Sequence, residues 1–80
     1  MSVTTKAQVE AFMAEIVLKN PTAVFDESTY GYLRLKEPRP NNLFYQRVAT
    51  SYFRATSKRH NLYFDGYDEY GFPCFLHEVD

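Results

Sequence analysis

Six residues towards the C-terminus, His60, Asp65, Asp68, Glu69, His77 and Glu78, are of the types that bind metals or move protons. Asp65 and Asp68 lie within one short stretch, and a hairpin would return His77 towards them. Their spacing matches no metal-ligand pattern, neither HExxH, CxxC nor a calcium-binding loop. Acidic residues also occur in turns for a simpler reason, because they accept hydrogen bonds from their own backbone. A metal-dependent hydrolase is therefore the weakest functional reading, and no catalytic residue, metal ligand or cofactor is assigned.

Nucleophilic catalysis has less support. Cys74 is the only cysteine, and its neighbours Phe72 and Phe75 predict a buried, unreactive thiol. Ser51 and Ser57 lack the glycine-framed turn that exposes a serine nucleophile. Three isolated glycines form neither a P-loop nor a dinucleotide fingerprint.

Charge and aromatic residues carry more information. Net charge is only −1, but it is segregated. Residues 34–60 set seven Lys or Arg against Glu37 alone, whereas residues 61–80 hold five acids and neither Lys nor Arg. Arg47, Ser51, Arg54 and Lys58 recur at helical spacing as a basic stripe. With Arg34, Lys36 and Arg39 this stripe suits phosphates, and nearby tyrosines suit stacking on bases. The acidic balance elsewhere argues against a dedicated nucleic-acid domain. Arg and Tyr together equally mark protein contact surfaces. A second surface is Tyr67, Asp68, Glu69 and Tyr70, since a purely solvated turn has no need of two phenols.

Two helices and two hairpins must position these residues. Val9, Phe12, Met13, Ile16 and Val17 share one helical face, Thr5 and Gln8 form a capping box, and Asn20-Pro21 stops the run. The spacing predicts a helix from Thr5 to Lys19. Thr22 to Glu37 reads as a hairpin with a turn at Asp26-Glu27-Ser28-Thr29, closed by Pro38 to Asn42. Asn42 caps a second helix over Leu43 to Lys58, whose apolar arc is Phe44, Tyr45, Val48, Ala49, Tyr52 and Ala55. Asn61 to Asp80 forms the second hairpin, turning around Asp65-Gly66, with Pro73 at a strand start. Val24-Phe25-Asp26 before Tyr30-Gly31-Tyr32-Leu33 parallels Tyr63-Phe64-Asp65 before Tyr70-Gly71-Phe72, with one extra residue in the second loop. The expected fold is α+β, two α-β-β units forming a small antiparallel sheet with both helices on one face.

Eighty residues make a single domain, 1–80, with a core of marginal size. Aromatic residues, 18% of the chain, supply volume that length denies, and seven Tyr exceed what such a core can hide. No apolar run approaches the ~20 residues of a membrane span. A lone cysteine and the lack of a signal-peptide pattern lead to the expectation of a cytoplasmic protein, in the host cell if phage-encoded. In format the chain resembles small phage or mobile-element accessory proteins, including anti-CRISPR proteins. The resulting expectation is a small non-enzymatic protein-binding module that inhibits a host nucleic-acid-handling or defence complex. The alternative is nucleic-acid binding through the basic helix. Homodimerisation is compatible with either, a second copy covering the free face of the sheet.

Overall fold

The computed structural model describes residues 3–19, 21, 23–28, 31–36 and 43–79, with side chains except at 28 and 43–49. Among these residues six elements follow in chain order. They are α1 (Lys6–Lys19), β1 (Val24–Ser28), β2 (Tyr32–Lys36), α2 (Leu43–Arg59), β3 (Tyr63–Tyr67) and β4 (Pro73–Leu76). The strands form one antiparallel sheet in the order β1-β2-β4-β3, so β2 and β4 are central and β1 and β3 are edges. This is the expected pair of α-β-β units.

Helix α1 begins where its capping box places it. The Thr5 N–H donates to Gln8 Oε1 at 2.9 Å and the Gln8 N–H donates to Thr5 Oγ1 at 3.1 Å. Its buried stripe is narrower than the periodicity suggests. Phe12 and Ile16 are fully buried, Val9 and Met13 pack against them, and Val17 faces solvent. Among the described residues the core joins Phe12 and Ile16 to Ala23, Leu33, Leu35, Phe53, Leu62 and Phe75. Leu33, Leu35 and Phe75 come from alternate positions on the two central strands, so both helices cover the same sheet face.

Helix α2 is turned relative to expectation. Phe53, Thr56 and Ser57 are buried, Tyr52 is half-buried, and Ala55 is exposed. The arc is displaced by about one residue, roughly 100° of helix rotation, because Phe53 buries far more apolar surface than Ala55 can. The remaining arc residues Phe44, Tyr45, Val48 and Ala49 have side chains outside the described residues, as does the Arg47 guanidinium. The expected stop at Asn20, the Pro38 to Asn42 segment with Arg39, and the Asn42 cap also lie outside them.

Both hairpin turns move later in sequence than expected. Asp26 to Ser28 belong to β1, where Asp26 lies opposite Arg34 and pairs with it and with Lys36. Asp65-Gly66 is no turn either. β3 continues to Tyr67, and the register shift between Phe64 and Gly66 leaves Asp65 as a β-bulge. Gly66, at φ 98°, supplies the conformation beside it. The true turn runs from Asp68 to Phe72. It is closed by backbone bonds from Asp68 N–H to the Phe72 carbonyl and from Gly71 N–H to the Asp68 carbonyl, both 3.0 Å. Pro73 opens β4, as expected.

The bulge is also the extra residue of the second unit. Val24 faces Lys36 and Phe25 faces Leu35, just as Tyr63 faces Leu76 and Phe64 faces Phe75. Past Asp65 the match resumes, with Asp26 opposite Arg34 and Gly66 opposite Cys74. Between the units, Arg34 faces Cys74, its own counterpart, so the two halves meet about a local pseudo-twofold axis.

A basic cleft between the second helix and an edge strand

The expected acid and histidine set is dispersed. His60 shares a hydrogen bond with Glu15 Oε1 at 2.9 Å, at the α1–α2 contact, where Arg59 also pairs with Glu15. The His60 bond and the nearby cations hold the Glu15 carboxyl below the usual carboxylate value, outweighing the effect of burial. Asp65 is exposed on the bulge. His77 ties the C-terminal segment to the first hairpin through its N–H, which donates to the Gly31 carbonyl at 2.8 Å. Among the described residues no group of three His, Cys, Asp or Glu side chains is arranged to hold a metal. Cys74 is buried, and burial pushes its thiol up from the usual value. The Tyr32 hydroxyl donates to its Sγ at 2.9 Å, and that bond together with burial pushes the Tyr32 phenol up to about 12.

The acidic hairpin divides into structural and free residues. Asp68 holds the turn together, its Oδ1 accepting from the Tyr70 and Phe72 N–H groups at 2.9 Å each. Its Oδ2 accepts from Arg34 at 3.1 Å. Burial alone would raise this carboxyl, but the two N–H groups and Arg34 prevail and hold it below the ordinary value. Tyr67 packs against the core, its ring edge-on to Phe64 at 5.3 Å and its hydroxyl 2.8 Å from Thr50 Oγ1. Only Glu69 and Tyr70 are exposed. We therefore expect Asp68→Ala to cost about 2 kcal/mol through the two lost backbone bonds, and Asp68→Asn to cost less because Oδ1 survives. A depressed carboxyl stabilises above its unfolded pKa, and that contribution disappears as pH falls through the folded value. The urea midpoints of wild type and Asp68→Asn should thus converge below about pH 4. A constant gap between them would remove Asp68 from this role.

The basic residues separate in the same way. Lys6 pairs with Glu10, Arg34 and Lys36 with Asp26, and Arg59 with Glu15. Lys19 lies over the Tyr52 ring at 5.0 Å. Arg54 and Lys58 are exposed, and among the described residues neither has a carboxylate within ion-pair distance. They line one cleft of ≈ 350 Å³ with Ser57, Asn61, Leu62, Tyr63 and Phe64.

Local structure places these groups. Asn61, at φ 66°, ends α2 in the left-handed conformation that Asn adopts more readily than most residues. The Leu62 N–H then donates to the Ser57 carbonyl at 2.8 Å, which folds the chain back along the helix into β3. Arg54 consequently lies over the Phe64 ring at 5.9 Å, its stem shielding the aromatic surface. Thr4 fixes the same corner by donating from Oγ1 to the Asn61 carbonyl at 2.6 Å. The sequence marks the stripe containing Arg54 and Lys58, but not the strand it borders. The missed partners are Tyr63 and Phe64, whose only signal is that they follow the helix within a few residues.

Among the described residues no helix is long and apolar enough to cross a membrane. Comparison of the chain with protein families, with curated proteins and with solved structures finds no match in any of the three.

Proposed function

We propose that the chain is a protein-binding module without catalytic activity, and that its main contact surface is the α2–β3 cleft. The observation that carries this reading is the pair of exposed cations, Arg54 and Lys58, with no ion-pair partner among the described residues, beside Tyr63 and Phe64 in a concave surface. Arg and Tyr are the residue types that dominate contact energetics when a partner excludes water from them. Glu69 and Tyr70 form a smaller second surface at the hairpin tip. The finer form of the proposal is an inhibitor of a host nucleic-acid-handling or defence complex. It has the chain's format and segregated charge as its support.

The test is affinity capture with the tagged chain from lysate of the cells in which it acts, with and without nuclease. A discrete protein should be retained after nuclease and lost when Arg54→Glu and Lys58→Glu are combined. Both residues are exposed, so the doubly substituted chain should keep its melting curve within a few degrees. Capture that disappears with nuclease would transfer the function to nucleic acid. Capture indifferent to the double substitution but lost with Tyr70→Ala would move the contact to the hairpin tip.

A further inference from the structure

The cleft is not a closed pocket. One wall is α2 and the other is β3, an edge strand that among the described residues pairs with β4 alone. An edge strand directs alternate N–H and C=O groups outward, where an incoming strand can pair with them. Resting on the protein-binding reading above, we propose that the occupant is an extended, acidic peptide segment of the partner. It adds as a fifth strand along the start of β3, ahead of the Asp65 bulge, and sets its carboxylates against Arg54 and Lys58.

Three observations on this surface agree. The first is direction. The Leu62 N–H is bound to the Ser57 carbonyl and Arg54 lies over Phe64, so the last turns of α2 run back alongside the first residues of β3. A strand added to β3 therefore also lies along α2. The second is spacing. Residues four apart on a helix are separated by about 6 Å along its axis, and side chains two apart on a strand by about 6.6 Å. Arg54 and Lys58 thus match acidic residues at i and i+2 of a strand, whose side chains share one face. The intervening residue faces the opposite way, towards the side on which Tyr63 lies.

The third observation is charge. The other edge, β1, carries Asp26 and Glu27, and the Asp26 carboxylate is occupied by Arg34 and Lys36. β3 has an acid of its own, Asp65, but with Arg54 and Lys58 beside it an acidic strand meets more unpaired positive charge there than at β1, where Arg34 and Lys36 are taken by Asp26. The cleft has two cations without an ion pair among the described residues, a number that matches the two carboxylates of a short acidic segment, whereas a nucleic-acid backbone draws its affinity from many phosphate contacts. Arg59 and His60, which follow Lys58 directly, are held by Glu15. The bulge at Asp65 interrupts the edge beyond Phe64, which confines pairing to the part beside the cleft.

The experiment is selection from a display library of short linear peptides on the immobilised full chain. The best sequences are then synthesised and titrated by fluorescence anisotropy. Selected peptides should carry acid-x-acid spacing. Arg54→Glu with Lys58→Glu should weaken them by about tenfold or more, an effect within the range of close charge pairs at interfaces. Methylating alternate peptide backbone nitrogens should abolish binding at every second position only, because alternate N–H groups point at the strand. Slowed amide exchange should map to β3 and leave β1 unchanged.

Failure of strand addition is separable from failure of the protein-binding reading. If lysate capture succeeds but no acidic peptide is selected, this inference falls and the module reading stands. Selected peptides that bind equally well with every backbone nitrogen methylated would overturn strand pairing. Short single-stranded DNA competing at the cleft would replace the peptide with nucleic acid. A concentration-dependent dimer that protects β3 without any peptide would make the occupant a second copy.

Discussion

A Phe75→Ala chain is expected to lose its cooperative thermal transition, or to melt more than about 12 °C lower. The side chain is fully buried on the central strand β4 and contacts rings from every layer of the fold. Phe12 of α1 is 4.8 Å away, Phe53 of α2 is 5.7 Å away, and Phe64 of β3 is 5.6 Å away. Truncating such a ring removes its transfer energy and leaves a cavity, together about 3–5 kcal/mol. A domain of 80 residues has only roughly 4–12 kcal/mol in total. Each kcal/mol corresponds to about 4–8 °C at this size. The proper control is Leu18→Ala, since Leu18 is 81% exposed and should change stability by about 0.5 kcal/mol or less. Circular dichroism melts of the two variants decide the matter. Equal melts would mean that the aromatic cluster is not what holds the two halves together.

That cluster also explains what the sequence could and could not reveal. Helix α1 was legible because its cap is local, with Thr5 and Gln8 three residues apart, and because its apolar positions follow one period. Helix α2 was legible as a helix but not in its rotation. Its arc contains both small apolar and large aromatic residues, and packing against Phe64 and Phe75 selects Phe53. The hairpins were legible as pairs of strands, but their turns were misplaced. In each case a contact beyond the turn itself takes part, Asp26 with Arg34 across the first hairpin and Asp68 of the second with Arg34, 34 residues away. A carboxylate drawn to a cationic strand neighbour stays in the sheet or folds its own turn, and local turn propensity cannot register that.

The candidate site followed the same rule. Charge spacing on one helix identified Arg54 and Lys58, because that pattern is local. Which cations remain free was not legible, since it depends on where Glu15 of the first helix falls relative to Arg59 and His60. Tyr67 and Asp68 were marked by residue type as surface contacts. Their roles in the core and in the turn depend on Thr50, Phe64 and the Phe72 backbone. Side-chain chemistry names the groups, and the neighbours that folding brings to them show whether they are already satisfied.

Gly31→Ala is expected to be far more damaging than Gly66→Ala, although both glycines have positive φ, 81° and 98°. A side chain in the left-handed region costs roughly 1–2 kcal/mol at either position. At Gly66 nothing lies within 4 Å of an added methyl, so that cost is the whole effect. At Gly31 the methyl would overlap the His77 backbone carbonyl oxygen, and a backbone group cannot swing aside as a flexible side chain can. Overpacking of this kind adds about 1–3 kcal/mol. It also opposes the bond from the His77 N–H to the Gly31 carbonyl, which fastens the end of β4 to the first hairpin. Thr4, whose N–H donates to the Glu78 carbonyl at 3.0 Å, would be loosened with it, so the damage should reach the entry to α1. Urea unfolding should show a midpoint for Gly31→Ala well below that of Gly66→Ala, with faster amide exchange at Thr4 and His77 only in the former. Equal midpoints would mean that the C-terminal segment yields at little cost and that the close approach at Gly31 does not constrain the fold. A selective loss would identify this glycine as the point where the two α-β-β units are locked in register.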